Sequence, residues 1–305
     1  MLRRSFILVI ALPTLLLLSA HAGQIPKGNT PNSLPPPVVP PPTAPPSVPV
    51  RPERVDISIN TSRPLAKAAD ELQLRFGVPI SYEDIQWVHP SDVMPVGAIP
   101  DPSVRKLKNL DMLVPALASL SLHFDIDLNT RQPISPLQEV LQAALDDHVR
   151  RSNPGEFKVI KLGDEEGFSI VPSRSKNLQG ALVPALSPLD ARISFPELER
   201  SGPKTLGVIL DGIAAATGAK LSVLSGVPIG PVKLGANQEV ARDVLLKALK
   251  TGYDWKTYWR FYYGPDDRSW GINFGAFYEE TGALTREGKP EIRAVRWAGR
   301  PSVRP

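Results

Sequence analysis

Two periodicities alternate between Leu189 and Gly252. Ile193 and Phe195 alternate with polar neighbours, as in a half-buried strand. Leu206, Ile209, Leu210 and Ile213 recur at i, i+3, i+4 and i+7, which sets them on one helical face. Gly218, able to take positive φ, ends that helix. Leu221-Ser-Val223 and Val232-Lys-Leu234 alternate as two further strands. Val240, Val244, Leu245, Ala248 and Leu249 form a second helical face, closed by Gly252. The order is strand, helix, strand, strand, helix. A small sheet covered on one side by two helices is the simple way to bury these faces. A hairpin follows, Trp255 to Tyr263 and Trp270 to Phe274, around Gly264-Pro-Asp-Asp267.

The same pattern occurs earlier in the chain. Val55, Ile57 and Ile59 alternate, and Ser62-Arg-Pro64 opens a helix whose apolar face is Leu65, Ala68, Ala69, Leu72 and Phe76. Gly77 ends it and Val78 to Tyr82 reads as a strand. Ile57-Ser-Ile59 through Gly77 to Ile80 parallels Ile193-Ser-Phe195 through Gly218 to Leu221, an internal repeat. The segment Ile85 to Leu120 interrupts the first copy. Pro90, Pro95, Pro100, Pro102 and Pro115 predict an irregular surface excursion there. The alternative, a strand at Lys106–Leu110 and a helix over Asp111–Leu120, puts Pro115 inside a helix. Leu122 to Leu128 is then the third strand. Ser135-Pro-Leu-Gln138 reads as a capping box, with Leu137, Val140, Leu141, Ala144 and Leu145 facing inward. Asn153-Pro-Gly155 turns the chain into a hairpin, Phe157 to Leu162 and Phe168 to Val171. The fold class expected is α+β: two small βαββαβ modules at 55–172 (insertion at 85–120) and 189–284, with a connector at 173–188.

Thr205-Leu-Gly-Val-Ile-Leu-Asp-Gly-Ile-Ala-Ala-Ala-Thr-Gly218 and Ala241-Arg-Asp-Val-Leu-Leu-Lys-Ala-Leu249 resemble the helices of the short N-terminal module of secretins and TonB-dependent receptors. The first copy is similar to the same module, apart from the insertion after Asp84. The resemblance lies in apolar and glycine positions and not in catalytic residues. In that family the module precedes an outer-membrane pore or barrel and makes protein contacts on the periplasmic side. Nothing after Gly252 is long enough for a pore or barrel, so neither is implied. What the resemblance implies is a non-enzymatic module that docks on another envelope protein. Open sheet edges would suit partner strand addition.

The ends of the chain fit an exported protein. Arg3-Arg4, the apolar run Phe6 to Leu18 and Ala20-His-Ala22 have the layout of a cleaved signal peptide, residues 1–22. The alternative is an uncleaved anchor, against which stand the short apolar run and Pro13. Residues 23–54, with Pro35-Pro-Pro37, Pro40-Pro-Pro42 and Pro45-Pro46, read as a disordered, polyproline-like spacer. Residues 285–305 read as a basic disordered tail. The formal charge is +4 and falls to +2 without Arg3 and Arg4, which does not call for a nucleic-acid partner. With no cysteine there is no disulfide, thiol nucleophile or zinc–thiolate site. The localisation expected is periplasmic or cell-envelope associated, with the membrane reached only through an uncleaved leader.

Candidate chemistry is sparse. His123, Asp125 and Asp127 share one strand face, which could hold a divalent metal for a hydrolase or be simply the solvent face. Asp164-Glu-Glu166 and Asp266-Asp267 sit at hairpin tips, where exposure leaves a carboxyl without the burial that general-acid work needs. His148 near a helix end complements the helix dipole. His89 lies in irregular chain, and there is no Gly-x-Ser-x-Gly elbow, phosphate loop or dinucleotide fingerprint. No catalytic, metal or cofactor site is therefore assigned. The one candidate ligand-contact face is Lys256, Tyr258, Arg260 and Tyr262, which alternates cations and phenols. It would suit a cell-wall glycan or an anion, the alternative to protein docking, or be ordinary strand composition.

Overall fold

A computed structural model describes residues 49–100, 111–130, 132–163, 167–226, 229–284 and 290–295. The chain divides after Val48, and only the unit from Pro49 onward contains described residues. The leader and nearly all of the spacer lie outside them. In chain order the elements are β1 (Pro52–Thr61), α1 (Pro64–Phe76), β2 (Ile80–Glu83), β3 (Val93–Pro95), β4 (Leu113–Pro115), β5 (Ala118–Asp127), α2 (Leu137–Arg150), β6 (Glu156–Lys161), β7 (Phe168–Lys176) and β8 (Leu182–Pro184). They continue as β9 (Arg192–Arg200), α3 (Gly202–Thr217), β10 (Lys220–Ser225), β11 (Val232–Val240), α4 (Ala241–Gly252), β12 (Thr257–Gly264), β13 (Ser269–Ala276), β14 (Tyr278–Leu284) and β15 (Pro290–Ala294). The fold is α+β. Among the described residues no helix is long and apolar enough to cross a membrane.

The helices arise where the 3.6-residue periodicity places them. α1 and α3 stop at Gly77 and Gly218, which take φ of +66° and +70° and return their amides to Gln73 and Ala214. The capping box at α2 is corrected: Pro136 occupies the cap position and no side chain caps the helix. The Pro136 carbonyl takes the Glu139 and Val140 amides instead, and Ser135 is left exposed one residue upstream.

The strands form ribbons and one large sheet. β1 pairs antiparallel with β5, and β9 with β11. β3 pairs with β4 and β14 with β15, and the other seven strands among the described residues join one sheet, in the order β10-β13-β12-β2-β7-β6 with β8 on β7. β10–β13, β12–β2 and β2–β7 are parallel; β12–β13, β6–β7 and β7–β8 are antiparallel. A separate small sheet for each half, as the pattern suggested, is not what forms. β12 crosses to β2, so both halves share one sheet and one continuous core containing Tyr82, Leu141, Ile209, Trp259 and Trp270.

Segments read as irregular hold more structure than their composition suggested. β1 starts at Pro52, inside the stretch assigned to the spacer. Within 85–120, Ile85, Trp87 and Val96 are buried, so this excursion packs on the body. The alternative helix over Asp111–Leu120 is not formed, because β4 and the start of β5 lie there; 101–110 fall outside the described residues. The connector carries the end of β7 and all of β8. In the tail, β15 pairs with β14.

Candidate functional site

The aromatic strand β12 alternates as its sequence requires. Thr257, Trp259, Phe261 and Tyr263 are buried on the core face. Lys256, Tyr258, Arg260 and Tyr262 take the other side, where Lys256, Tyr258 and Tyr262 are half-buried and Arg260 is buried. Arg260 is 5% exposed. Its guanidinium donates to Asp70 on α1 and to the Ile80 carbonyl, and lies 4.6 Å from the Tyr258 ring centroid. Arg63 sits 4.6 Å over the Tyr262 ring. The Lys256 amide donates to the Val295 carbonyl. At its centre the expected ligand face is an internal joint, where the chain's own groups already satisfy the Arg260 cation.

The other nominated groups are held singly. His123 Nδ1 lies 2.5 Å from Asp56 on β1, while Asp127 accepts the Arg51 and Asn129 amides. The imidazole and the two aspartates of β5 are therefore not brought onto one ion. Among the described residues no group of three His, Cys, Asp or Glu is placed to hold a metal. Asp267 accepts the amide and hydroxyl of Ser269, as a turn residue does. His89 takes the Ser91 amide on its ring nitrogen. Asp164 to Glu166 lie outside the described residues. The dipole reading of His148 is also corrected: the ring is buried, donates from Nε2 to the Pro154 carbonyl at 3.1 Å, and takes Asn153 Nδ2 on Nδ1. Burial pushes its pKa down, so the neutral ring is favoured.

Pattern reading missed Glu83 and Asp84, at the end of β2, both fully buried. Arg242 of α4 reaches both oxygens of Glu83 at 2.7 Å and Asp190 at 2.7 Å. Trp259 Nε1 adds a bond to Glu83 at 3.3 Å. Asp84 takes Arg63 Nε at 2.7 Å, the Tyr82 hydroxyl at 2.7 Å and the Tyr263 amide at 3.0 Å. Burial works against the Arg242 charge, but Glu83 and Asp190 outweigh it and raise its pKa. The available signal was two adjacent acids directly after an apolar strand with no turn residue between. With their oxygens occupied by donors, these acids join the two halves. A cleft of about 1090 Å³ opens beside them, with Trp87, Tyr263 and Trp270 in its wall. All three are buried, and Asp190, the one acid in the wall among the described residues, is bonded to Arg242 and to the Ser187 amide.

Among the described residues the large sheet has two open ends, β6 and β10. β6 carries exposed Lys158 and Lys161, charges of the kind that discourage strand addition. β10 is exposed along its length after Leu221, and its only charge is Lys220 at the start. Val223 and Leu224 are 41% and 59% exposed. Ser222 and Ser225 bond back to β13, and among the described residues no backbone group bonds to the outer edge of β10. Past Lys220 the edge is uncharged and partly apolar, the kind of edge that lacks the charges which discourage strand addition. No family model, curated protein or solved structure matches the chain, so the functional reading rests on this geometry.

Proposed function

We propose that the chain is an exported, non-enzymatic docking protein of the cell envelope, which takes a partner's strand on β10. It is read as two copies of a short secretin/TonB-type βαββαβ module, each followed by one more hairpin strand, presented on a proline-rich spacer. The repeated pairing, β1 with β5 as β9 with β11, and β2-β7-β6 as β10-β13-β12, supports the tandem reading. The leader-like start and Pro35–Pro46 support export and display. The observation that carries the docking role is the uncovered edge of β10 with exposed Val223 and Leu224. The glycan-binding alternative loses its central residue, because Arg260 is engaged by Asp70 and Ile80.

A photo-crosslinking residue at Leu224, in intact cells, tests this. A control placed at Val149, equally apolar and exposed on α2, reports background. The docking reading expects one defined adduct from Leu224, absent from the Val149 control and lost in a Val223→Lys background. Adducts of the same pattern from both positions, or none from Leu224, would contradict it.

A further inference from the structure

The internal joint shows which strand fits β10. Ile80 lies opposite Phe168 and Tyr82 opposite Ile170. Leu221 lies opposite Trp270 and Val223 opposite Ile272. Ile80 and Leu221 are each the third residue after the glycine that ends the preceding helix. Tyr82 therefore corresponds to Val223, Glu83 to Leu224 and Asp84 to Ser225. Across the hairpins, Val159 lies opposite Ile170 and Phe261 opposite Ile272. Val159 thus corresponds to Phe261, and Lys158 to Arg260.

In the joint, β12 runs parallel to β2 with Arg260 opposite Tyr82. β10 is the counterpart of β2, and β6 is the counterpart of β12. Both are the uncovered ends of the same sheet among the described residues. We propose that β6 of one copy adds in parallel to β10 of the next, repeating between chains the relation of β12 to β2 within one. Lys158 then lies opposite Val223, and Val159 opposite Leu224. This rests on β10 being the docking edge and names its partner as a second copy of this chain.

Charge placement agrees. Arg260 is anchored by Asp70, seven residues before Gly77. Asp211 stands seven residues before Gly218, at the same place on α3. Asp211 and Lys158 are both exposed, and neither has an ion-pair partner among the described residues. In the added geometry they take the places of Asp70 and Arg260, and the lysine that guards β6 against other strands becomes a selector for this one. The joint's two buried acids are replaced by Leu224 and Ser225, so the contact between chains lacks the Glu83–Arg242 pair and is the weaker of the two. It joins unlike surfaces and leaves one β6 and one β10 free after each addition, so assembly continues beyond the dimer.

The chain has no cysteine, so single-cysteine variants give an unambiguous readout. Val159→Cys and Leu224→Cys chains, purified separately, mixed and oxidised, should give a disulfide-linked dimer that neither gives alone, since paired strands lie within disulfide reach. In sedimentation the average mass of the unmodified chain should rise with concentration. Lys158→Glu or Asp211→Lys should each raise the half-assembly concentration at least about five-fold, and the double variant should recover it. Melting curves check that each variant is folded. A dimer forming equally in either cysteine variant alone, or a mass independent of concentration, overturns self-addition. If that happens while Leu224 still crosslinks to a different protein, the docking edge stands and only its partner is wrong. If Leu224 crosslinks to nothing, the edge itself falls.

Discussion

Glu83 and Arg242 show what decides stability at single residues. A bidentate pair excluded from water holds mainly because both charges are matched. Glu83→Ala leaves the Arg242 guanidinium buried beside half of its partners. The expected cost is about 3–5 kcal/mol in denaturant unfolding, and replacing Arg242 by Met in the same chain should return much of it. A loss below about 1 kcal/mol would place the pair outside the core joint. His148 contributes to the pH dependence near neutrality. Burial lowers its pKa against the hydrogen bonds to Pro154 and Gly155. The unfolded ring, near its ordinary value of about 6.5, takes a proton before the folded one does. Its contribution is therefore complete above about pH 6.5 and is lost as pH falls towards the folded value. Asp147 acts lower on the scale. Burial would raise its carboxyl, but the Ser121 amide with Arg150 and Arg151 outweighs burial and lowers it. Its contribution is lost only as pH falls below about 4. Unfolding free energies measured from pH 7.5 down to 4.5 should slope downward, and His148→Gln should flatten that slope. An unchanged slope would place the titration elsewhere.

At the scale of elements, much was legible because two periods and the glycines carry it. Helices α1, α3 and α4 and both hairpins lie where apolar spacing set them, with Gly77 and Gly218 in the left-handed conformation their positions call for. The pairing of distant strands was not legible, since alternation fixes which residues face inward but not which neighbour covers the other side. Arg260 is the clearest example. Its face was polar by alternation, yet α1 brings Asp70 over it from 190 residues away in sequence. Proline content misled over 85–120 and 173–188, because short strands such as β4 and β8 tolerate proline at their ends. Gly167 gives an element-level prediction. It has φ of +111°, and a Cβ there would lie 2.1 Å from the Pro79 carbonyl oxygen, where β2 meets β7. Gly167→Ala should destabilise by about 1–3 kcal/mol, read from the melting midpoint. A neutral result would mean that β2 and β7 part easily at this end.

For the whole molecule, the shared sheet means that neither half is complete alone. A chain ending at the connector leaves Glu83 and Asp84 without Arg242 and the Tyr263 amide, and bares the edge of β2. The full chain should unfold in one calorimetric transition, while the first half alone should not fold. Two separated transitions would mean that the joint is weak. If residues 1–22 are removed on export, intact mass should give a mature chain beginning at Gly23, and retention of Met1 to Ala22 would favour the anchor. The docking account is tested most directly by hydrogen–deuterium exchange over Lys220–Ser225, in the free protein and in the complex captured through Leu224. The account predicts that the outward amides of β10 exchange fast when free and slow several-fold on capture, while Lys256–Tyr262 does not change. Equal protection of β10 in both states, or new protection confined to Lys256–Tyr262 or to the cleft wall at Trp87, would contradict it.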